Sequence, residues 1–379
     1  MHVLFVPNAY PNAEFPYRGI FFKDLVLALK EVGVKVGVAY LDIRPFAEQD
    51  LKSNPINIEL EDGYPVVSKR DYNRIPLGSQ YQRKTYEQVV SNLVDRYIQD
   101  NGTPDLIHAH VGLWAGWSVS EYCVKHNLKY VLTEHSSTVL ANQISNSDQP
   151  YLSKAYDRAD HLFAVSEALG NSMRSYCENA VSVVPNAVNV EFFAGDFTSD
   201  KSEIIRFITV ATLDDNKGVE LMIRAIAELK KKGIGIELEV VGVGPKMNDF
   251  QKIGMENGVN DEIHFHGRQP KEEIKGLFQQ SNVFVSASKQ ETFGVAIVEA
   301  MAAGLPVITT KSGGPEDIVT PETGVLAERS VDGLADRMKW MCANLDQFDP
   351  AEISSRAMEQ YSKEKVAGLY LNHYRKIVS

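Results

Sequence analysis

Short apolar segments alternate with segments of helical pattern along this chain of 379 residues. The candidate strands of the first half are short, are bounded by polar or turn-forming residues, and lie at 3–6, 35–40, 106–110, 130–133, 161–165 and 182–184. Helical patterns at 21–31 and 86–99 separate some of these strands. Because a strand, a helix and a second strand in succession form a βαβ unit, the pattern predicts an α/β fold with parallel sheets.

The alternation starts again in the second half, after the turn-forming residues Pro185-Asn186-Ala187. The second series has a helix at 218–232 and strands at 206–210, 237–241, 263–266, 282–288 and 306–310. Two series in a chain of this length predict two doubly wound, Rossmann-like domains, residues 1–188 and 189–360. An amphipathic pattern at 364–377 predicts a C-terminal helix, within residues 361–379, that packs back on the first domain.

Charge and cysteine content argue against several classes of protein. The formal net charge of −11 disfavours non-specific binding to nucleic acid, so no nucleic-acid partner is expected. Cys123, Cys177 and Cys342 have neither disulfide-like nor metal-binding spacing, which indicates a reducing compartment. No segment has the pattern of a signal peptide, and no apolar run approaches the ~20 residues of a membrane span. We therefore expect a cytoplasmic protein, and a peripheral position at the inner face of a membrane stays open.

Glu291 and Glu299 stand on either side of a predicted helix start. Gly294 interrupts any earlier helix, and residues 295–303 favour a helix that stops at Gly304. Glu291 is therefore predicted on a loop and Glu299 about one turn inside the helix, with the anion-favouring helix N-terminus between them. This layout suits a sugar, a diphosphate and a ribose in a row, and we interpret it as a nucleotide-sugar site. Two solvated glutamates at a chance spacing are the alternative.

The chain resembles the retaining glycosyltransferases of family four along nearly its whole length. The motifs that carry the resemblance are weak alone and specific in their order and spacing. They are Glu291-x7-Glu299 with Phe293-Gly294, Asn216-Lys217-Gly218, Val241-Gly-Val-Gly-Pro245, Asp105-Leu-Ile-His-Ala-His110, Ala164-Val-Ser166, Val184-Pro-Asn-Ala-Val188 and Ser312-Gly-Gly-Pro-Glu316. The resemblance implies the GT-B fold, in which two Rossmann-like domains face each other across a cleft. The first would take the acceptor and the second the nucleotide-sugar donor.

The resemblance implies roles for residues of the second domain. Glu299 would accept hydrogen bonds from ribose hydroxyls, and Glu291 would bind hydroxyls of the transferred sugar as part of the catalytic set. Lys217 would bind the phosphates and stabilise the negative charge that forms on the leaving nucleotide. Without the resemblance, Lys217 would be interpreted as a solvated lysine at a helix start. The backbone amides that would meet the sugar and diphosphate are those of Phe293, Gly294, Val295 and Ala296.

One position departs from the family pattern. Thr212 stands five residues before Lys217, where the family often has an arginine, so one expected cation of the donor site is missing. Lys289 and Arg268 are candidates to replace its charge. Asp214-Asp215 is not a convincing metal pair. Neither a metal nor a cofactor is expected, since a lysine and a helix N-terminus would supply the positive charge.

The resemblance assigns four further residues to the site. His110 ends a strand beside the donor sugar and is a candidate catalytic residue, although a histidine at a strand end is more often structural. Gly19, before the first helix, would let the backbone approach the donor, unless it is an ordinary turn glycine. His135, within Glu134-His-Ser136, would face the acceptor. Gly242, in a loop that lacks the third glycine of a dinucleotide fingerprint, would form a tight turn near the nucleotide.

The sequence therefore predicts a retaining transferase that moves a hexosyl unit from a UDP- or GDP-sugar to a hydroxyl of a glycan or lipid-linked acceptor. The expected setting is the synthesis of bacterial surface polysaccharide or glycolipid. A nucleotide-sugar 2-epimerase of the same architecture is one alternative. A binding protein that has lost activity, as Thr212 suggests, is another. A dehydrogenase is disfavoured, because the first strand lacks a glycine fingerprint.

Basic and aromatic residues are concentrated between Lys69 and Lys84. They include Arg70, Arg74 and Arg83, together with Tyr72 and Tyr81. Such residues can dock a transferase on an anionic membrane, which would give a peripheral membrane contact. A solvated loop is the simpler interpretation.

Overall fold

The structure is a computed structural model that describes residues 1–45, 55–73, 80–195 and 204–379. The chain divides into two compact units. The first comprises Met1–Ala187 and Lys363–Ser379, and the second comprises Val188–Ser362. These limits lie within two residues of the domain boundaries that the sequence suggested.

The first unit is built on one sheet with helices between its strands. Its strands are β1 (His2–Pro7), β2 (Lys35–Pro45), β3 (Asn57–Glu61), β4 (Tyr64–Asn73), β5 (Leu106–His110), β6 (Tyr130–Glu134), β7 (His161–Ala164) and β8 (Val181–Val183). Its helices in this part are α1 (Ile20–Glu31), α2 (Gln80–Asn101), α3 (Trp117–His126), α4 (Ser137–Leu140), α5 (Gln149–Asp157) and α6 (Glu167–Met173). The strand order is β3-β4-β2-β1-β5-β6-β7-β8, and only the β3–β4 pair is antiparallel among these neighbours. The central strands β1, β5 and β6 are buried along their full length, as expected for parallel strands covered on both faces.

The second unit has the same construction with a smaller, parallel sheet. Its strands are β9 (Ile205–Val210), β10 (Ile236–Val241), β11 (Ile263–Gly267), β12 (Val283–Ser286), β13 (Val307–Thr310) and β14 (Gly324–Ala327). Its helices are α7 (Val190–Phe193), α8 (Val219–Lys231), α9 (Met247–Glu256), α10 (Lys271–Gln279), α11 (Val295–Ala302), α12 (Pro315–Ile318), α13 (Val331–Asn344) and α14 (Pro350–Tyr361). The strand order is β11-β10-β9-β12-β13-β14. The two sheets confirm the predicted α/β class.

The C-terminal helix α15 (Lys363–Val378) belongs to the first unit, as predicted. Val366, Ala367, Tyr370 and Tyr374 are its members of the buried core that also contains residues of α1 and β1. The ammonium of Lys363 lies 3.8 Å from a carboxylate oxygen of Asp24 on α1. Among the described residues, no helix has the length and apolar character needed to cross a membrane.

In each sheet the strand order reverses beside the first strand of the unit. β1 lies between β2 and β5, and β9 lies between β10 and β12. Connections at such a point leave toward opposite faces of the sheet and open a crevice at the carboxyl ends of the strands. The loops that contain Lys217 and Glu291 follow β9 and β12, and His110 ends β5, so all three residues lie toward this edge of their sheets.

The two ends of the segment between Lys69 and Lys84 lie in regular secondary structure, and not in the solvated loop that was the simpler interpretation of the sequence. Lys69 and Arg70 lie in β4, and residues 81–84 lie in the first turns of α2. Arg74 falls outside the described residues.

Candidate active site

Lys217 and Glu291 form a direct ion pair in the second unit. Lys217 follows β9 and Glu291 follows β12, so they leave neighbouring strands where the strand order reverses. The Lys217 Nζ donates to Glu291 Oε2 at 2.5 Å, and the two side chains are 25% and 19% exposed. The sequence assigned both residues to one site, and the structure brings them into contact. The pair offers a cation and an anion side by side at a half-buried position.

Asn216 joins the two loops that position this ion pair. Its side-chain Nδ2 donates to the backbone carbonyl of Gln290 at 2.9 Å, and its side-chain Oδ1 accepts from the backbone amide of Gln290 at 3.1 Å. The Asp214 carboxylate accepts from the backbone N–H groups of Asn216 (2.9 Å) and Lys217 (3.2 Å). Sequence reasoning gave neither residue a role. An Asx turn at Asp214 was the available signal, whereas the contact with Gln290 depends on the tertiary fold.

Gly218 lets the Lys217 loop lie against the end of β12. Its φ of 66° is left-handed, and a Cβ at this position would lie 2.1 Å from the carbonyl oxygen of Ala287. A larger residue would therefore push the two loops apart, and with them Lys217 and Glu291.

The N-terminus of α11 lies next in sequence to this pair. Gly294 caps the helix with a φ of 114°, and no side chain caps this end. The first amides of a helix, here those of Val295 and Ala296, have no acceptor within the helix and can donate to a ligand. Glu299 is half-buried further along the same helix. The Phe293 ring is buried and packs edge-on to Tyr361, so only its backbone is suited to the predicted contact.

The loop after β13 fixes the backbone of Glu291. The Glu291 amide donates to the Ser312 carbonyl (2.9 Å), and the Gly314 amide donates to the Glu291 carbonyl (2.7 Å). The carboxylate of Glu316 accepts from the amides of Ser312 (3.0 Å) and Gly313 (2.9 Å). Glu316 therefore shapes the loop that holds Glu291. The sequence showed its motif and did not reveal this role.

Thr212 and Gly242 lie on the adjoining loops after β9 and β10. Thr212 is exposed. Gly242 has a φ of 135°, its amide donates to the Gly267 carbonyl (2.8 Å), and a Cβ would lie 1.8 Å from the Ala211 carbonyl oxygen. Gly242 thus allows the two loops to touch, and its contact with a nucleotide stays a prediction. Lys289 and Arg268, the candidate replacement cations, are both exposed.

Two histidines of the first unit are in contact at the ends of β5 and β6. His110 Nδ1 lies 3.1 Å from His135 Nε2, and the second nitrogens of both rings are buried without a hydrogen-bond partner among the described residues. Burial lowers the pKa of His135 to about 3. Burial, with smaller effects of His108 and His135, holds the pKa of His110 well below its ordinary value. Both rings are therefore neutral at pH 7, and the contact between them leaves one N–H and one lone pair unused.

Glu134 positions the two loops around these histidines. Its buried carboxylate accepts from the amides of Gly112, His135 and Ser136, each at 2.9 Å, and from the Tyr156 hydroxyl at 2.6 Å. Four donors satisfy a charge that burial would otherwise make costly. The sequence placed Glu134 in the motif that would face the acceptor and did not reveal this supporting role.

The backbone is strained directly after His110. Val111 has a φ of 74° and Trp114 a φ of 69°, values that are unfavourable for residues with a Cβ. The Asn8 side chain holds this turn, since its amide donates to the Leu113 carbonyl (3.0 Å) and its oxygen accepts from the Ala115 amide (2.8 Å).

Gly19 caps α1 at the same edge of the sheet. Its φ is 73°, and a Cβ would lie 2.8 Å from the Ala9 carbonyl oxygen. Only glycine allows this close approach of the loop after β1. Its predicted contact with the donor stays a prediction.

The basic side chains between Lys69 and Lys84 are largely occupied within the chain. Arg70 pairs with Glu14 (2.6 Å) and with Asp42 (3.3 Å). Arg83 is buried, pairs with Asp148 and stacks on the Tyr151 ring at 4.1 Å. Lys84 and Tyr81 are exposed. These contacts give Arg70 and Arg83 structural roles, and the predicted membrane contact gains no support from them.

In the described part of the chain, one group of three side chains has the spacing of metal ligands. Glu237, Glu239 and His264 lie on β10 and β11, with ligand atoms within 4.8 Å of one another. Glu237 also pairs with Arg206 (2.9 Å) and Glu239 with His266 (2.5 Å). The two carboxylates of the group thus have polar partners on the strands, and none of its members is a candidate active-site residue. Independence from metal stays a prediction.

Two family models match this chain in succession. Residues 19–192 match the family described as Glycosyltransferase Family 4, and residues 196–364 match Glycosyl transferases group 1. Together the two matches account for nearly all of the chain.

Several curated proteins are similar in sequence. The phosphatidylinositol N-acetylglucosaminyltransferase gpi3 subunit of Schizosaccharomyces pombe is 25% identical over 275 residues, 70% of this chain and 59% of that protein. The GPI3 subunit of the same enzyme in Saccharomyces cerevisiae is 28% identical over 212 residues, covering 54% and 47%. The putative colanic acid biosynthesis glycosyltransferase WcaL of Escherichia coli is 25% identical over 236 residues, covering 60% and 58%. The chain thus spans less than two thirds of the length of these relatives.

Solved structures agree with the fold over its full length. Sucrose-phosphate synthase from Thermosynechococcus elongatus gives a TM-score of 0.77 at 20% identity and covers 99% of this chain and 98% of that one. Anabaena Alr3699/HepE in complex with UDP-glucose gives a TM-score of 0.72 at 18% identity, with coverage of 99% and 100%. At these identities the likeness concerns the fold alone.

Proposed function

Because the chain belongs to the group 1 glycosyltransferases of family four and has their GT-B fold, we propose that it transfers a hexosyl unit from a UDP- or GDP-sugar to a hydroxyl acceptor, with retention of anomeric configuration. The second unit would hold the donor and the first would hold the acceptor. A glycan or a lipid-linked glycan is the proposed acceptor, in polysaccharide or glycolipid synthesis.

The Lys217–Glu291 pair is the observation that supports this proposal most directly. A nucleotide-sugar contains both groups that the pair can bind, since its diphosphate is anionic and its sugar hydroxyls are hydrogen-bond donors. The diphosphate would pair with the ammonium of Lys217 and with the first amides of α11. The sugar hydroxyls would donate to the carboxylate of Glu291. Glu299, further along α11, would accept from the ribose hydroxyls.

The proposed step breaks the bond between the anomeric carbon and the β-phosphate oxygen. The bonding electrons go to that oxygen, the acceptor oxygen forms its new bond on the same face of the sugar, and the acceptor proton moves to the phosphate. Negative charge therefore grows on the leaving diphosphate, next to Lys217 and the helix N-terminus. Interactions that strengthen as this charge develops lower the barrier.

The neutral histidines would contribute recognition in the first unit. Together, His110 and His135 have one free N–H and one free lone pair, so they can both donate to and accept from hydroxyl groups. Glu134 and Asn8 would hold the loops that carry these rings. The proposed role of the pair is binding and orientation, and the catalytic role that the resemblance implied for His110 stays a prediction.

Nucleotide titration tests the donor proposal. UDP, GDP, ADP and their glucose derivatives would be titrated into the purified chain by calorimetry, and UDP is the first choice because Alr3699/HepE was solved with UDP-glucose. The tightest donor would then be incubated with candidate acceptors and the product's anomeric configuration read by NMR. A free 2-epimer of the donor would identify the epimerase instead. Donor binding without transfer or hydrolysis would identify an inactive binding protein.

A further inference from the structure

The first unit contains a cavity of about 780 Å³ beside α1. Its wall is formed by the loop after β1, by Ile20 and Lys23 of α1, by the end of β2, and by β3 and β4. This volume lies within the range of small-ligand sites. We propose that the cavity binds the acceptor as a neutral, polyhydroxylated glycan and discriminates against phosphorylated headgroups. The assignment of the ligand as acceptor rests on the proposed function.

Ion pairs fix the charged side chains at one end of this cavity. Asp42 pairs with Arg44 (2.8 Å), Arg70 (3.3 Å) and Arg18 (3.5 Å). Glu14 pairs with Arg70 at 2.6 Å. Because each group has a partner, their positions are set before a ligand arrives, and they retain unused donor and acceptor capacity.

The cations at the other end are paired as well. Lys23 lies 2.5 Å from Glu61 and 2.8 Å from Asp62, and Lys69 lies 3.8 Å from Asp71. Acidic side chains are at least as numerous as basic ones on the described wall, where Glu14, Asp42, Glu59 and Glu61 accompany Lys23, Lys69 and Arg70. A phosphate would have to displace these carboxylates from their cations and would then face their repulsion. The charge balance therefore disfavours an anionic ligand.

A sugar hydroxyl avoids this conflict. It donates to a carboxylate and accepts from a guanidinium at once, and it adds no net charge. Ile20 and Leu60 supply apolar surface for the C–H face of a sugar ring. Leu60 is 75% exposed on the edge strand β3, an unusual position for a large apolar side chain. Polar groups with balanced charge beside an apolar surface suit a neutral glycan.

The cavity is close to the histidine pair through the first turn of α1. Ile20 and Lys23 line the cavity, whereas the rings of Phe21 and Phe22 lie 5.1 and 5.0 Å from the ring of His135. The Phe22 ring is also 4.9 Å from that of His110. A glycan in the cavity would thus be separated from the histidine pair only by this helical turn.

Binding measurements on the full chain test the inference. The neutral probes are lactose, cellobiose and an array of neutral oligosaccharides, and the anionic probes are inorganic phosphate and vesicles of phosphatidylinositol in phosphatidylcholine. We expect saturation-transfer NMR or calorimetry to detect a neutral glycan and neither anionic probe. Arg70→Gln and Leu60→Ala should each weaken glycan binding about tenfold, the effect of one charged hydrogen bond or one lost apolar contact. Leu60→Ala should fold normally because the side chain is exposed.

Two controls make the result specific. Arg96→Gln removes an ion pair with Asp100 on α2, outside the cavity, and should leave glycan affinity unchanged. Glu59→Lys should raise affinity for glucose 6-phosphate if the wall carboxylates cause the discrimination.

Binding of phosphate or phosphatidylinositol in preference to neutral glycans would overturn the inference. Failure of all neutral probes, or glycan binding insensitive to both cavity variants, would overturn it too. UDP binding measured in the same samples reports on the proposed function separately, since it depends on the second unit.

Discussion

The ammonium of Lys217 pairs with the carboxylate of Glu291 in the same chain. This contact determines how the loss of the Lys217 side chain should affect the protein. Glu291 is half-buried, so the loss of Lys217 leaves a carboxylate without its cation and also removes the proposed partner of the phosphate. The rate of transfer and the stability of the second unit must therefore be measured together. A change confined to the rate would indicate a role in the reaction.

Lys217→Ala should lower turnover at saturating donor by ~10²–10³-fold, comparable to the loss of one oxyanion donor. The reason is that the lysine's contact strengthens as charge develops on the leaving diphosphate, so the loss appears mainly in kcat. The measurement is the rate of sugar transfer with UDP-sugar donors. Lys231→Ala, which removes a surface ion pair with Glu228 in the same unit, is the control and should have normal turnover. Thr212→Arg should be tolerated and should partly rescue the Lys217 variant. Wild-type turnover in Lys217→Ala would contradict the role.

Glu299→Ala should weaken binding of both donor and free nucleoside diphosphate by about 1.5–3 kcal/mol, because ribose hydroxyls lose a charged acceptor. Calorimetry with UDP measures this directly. Glu256→Ala on α9 removes an exposed carboxylate of the same unit and should bind UDP normally. If the two variants bind UDP equally well, the ribose role of Glu299 is wrong.

At the level of elements, the sequence predicted the central strands well and the edge of the first sheet poorly. β1, β5 and β6 are short, mainly apolar runs whose residues are all buried. The β3–β4 hairpin was missed because β3 alternates polar residues with the exposed Ile58 and Leu60 and has almost no buried side. The Asp62-Gly63 pair is the one sequence signal of this hairpin. In the structure its two residues have positive φ values of 46° and 77°, which are typical of a two-residue hairpin turn.

Prediction of the candidate site from the sequence has a similar limit. Sequence motifs placed Lys217 and Glu291 on loops after recognisable strands and Glu299 in the helix that follows, and the structure has them there. The bonds between Asn216 and Gln290 join residues 74 positions apart, and those between Glu134 and Gly112 join residues 22 apart. Such supporting contacts depend on the tertiary fold, and a single sequence does not reveal them.

Gly218→Ala should destabilise the second unit more than Gly233→Ala does. Both glycines have left-handed φ, 66° and 72°, so both variants incur the cost of about 1–2 kcal/mol for a Cβ in this region. Only at Gly218 would the new Cβ also meet a backbone oxygen, at 2.1 Å, whereas Gly233 has open space. The displacement of the loop should add roughly 1–3 kcal/mol and lower transfer activity. Denaturant unfolding and transfer assays on both variants provide the comparison, and equal losses would show that the contact with β12 is unimportant.

For the whole molecule, transfer should continue in excess EDTA. Lys217 and the first amides of α11 would stabilise the leaving diphosphate without a metal ion. The group Glu237, Glu239 and His264 lies on strands β10 and β11, and its two carboxylates contact Arg206 and His266, so His264→Ala should leave transfer unchanged. Complete loss of activity in EDTA, with recovery on addition of manganese or magnesium, would contradict this prediction.

The buried histidines make the stability of the first unit depend on pH. Burial lowers the pKa of His108, His110 and His135, in the last case to about 3, below the ordinary value of 6.5. Between these two values the unfolded chain binds more protons than the folded chain, so the free energy of unfolding rises with pH. The contribution of these groups is therefore complete above pH 6.5 and is lost as the pH falls, in the case of His135 down to about pH 3.

Acid should accordingly unfold the first unit with a slope of up to about 1.4 kcal/mol per pH unit for each buried histidine. His135→Phe, which keeps an aromatic ring beside Phe21 and Phe22, should reduce that slope by about the contribution of one group. His126→Phe changes an exposed histidine at the end of α3 and is the matched control. The measurement is denaturant unfolding between pH 4 and 8, with near-ultraviolet circular dichroism of the tyrosine-rich core as the signal. The histidines are unimportant for acid stability if His135→Phe and the wild type show the same slope.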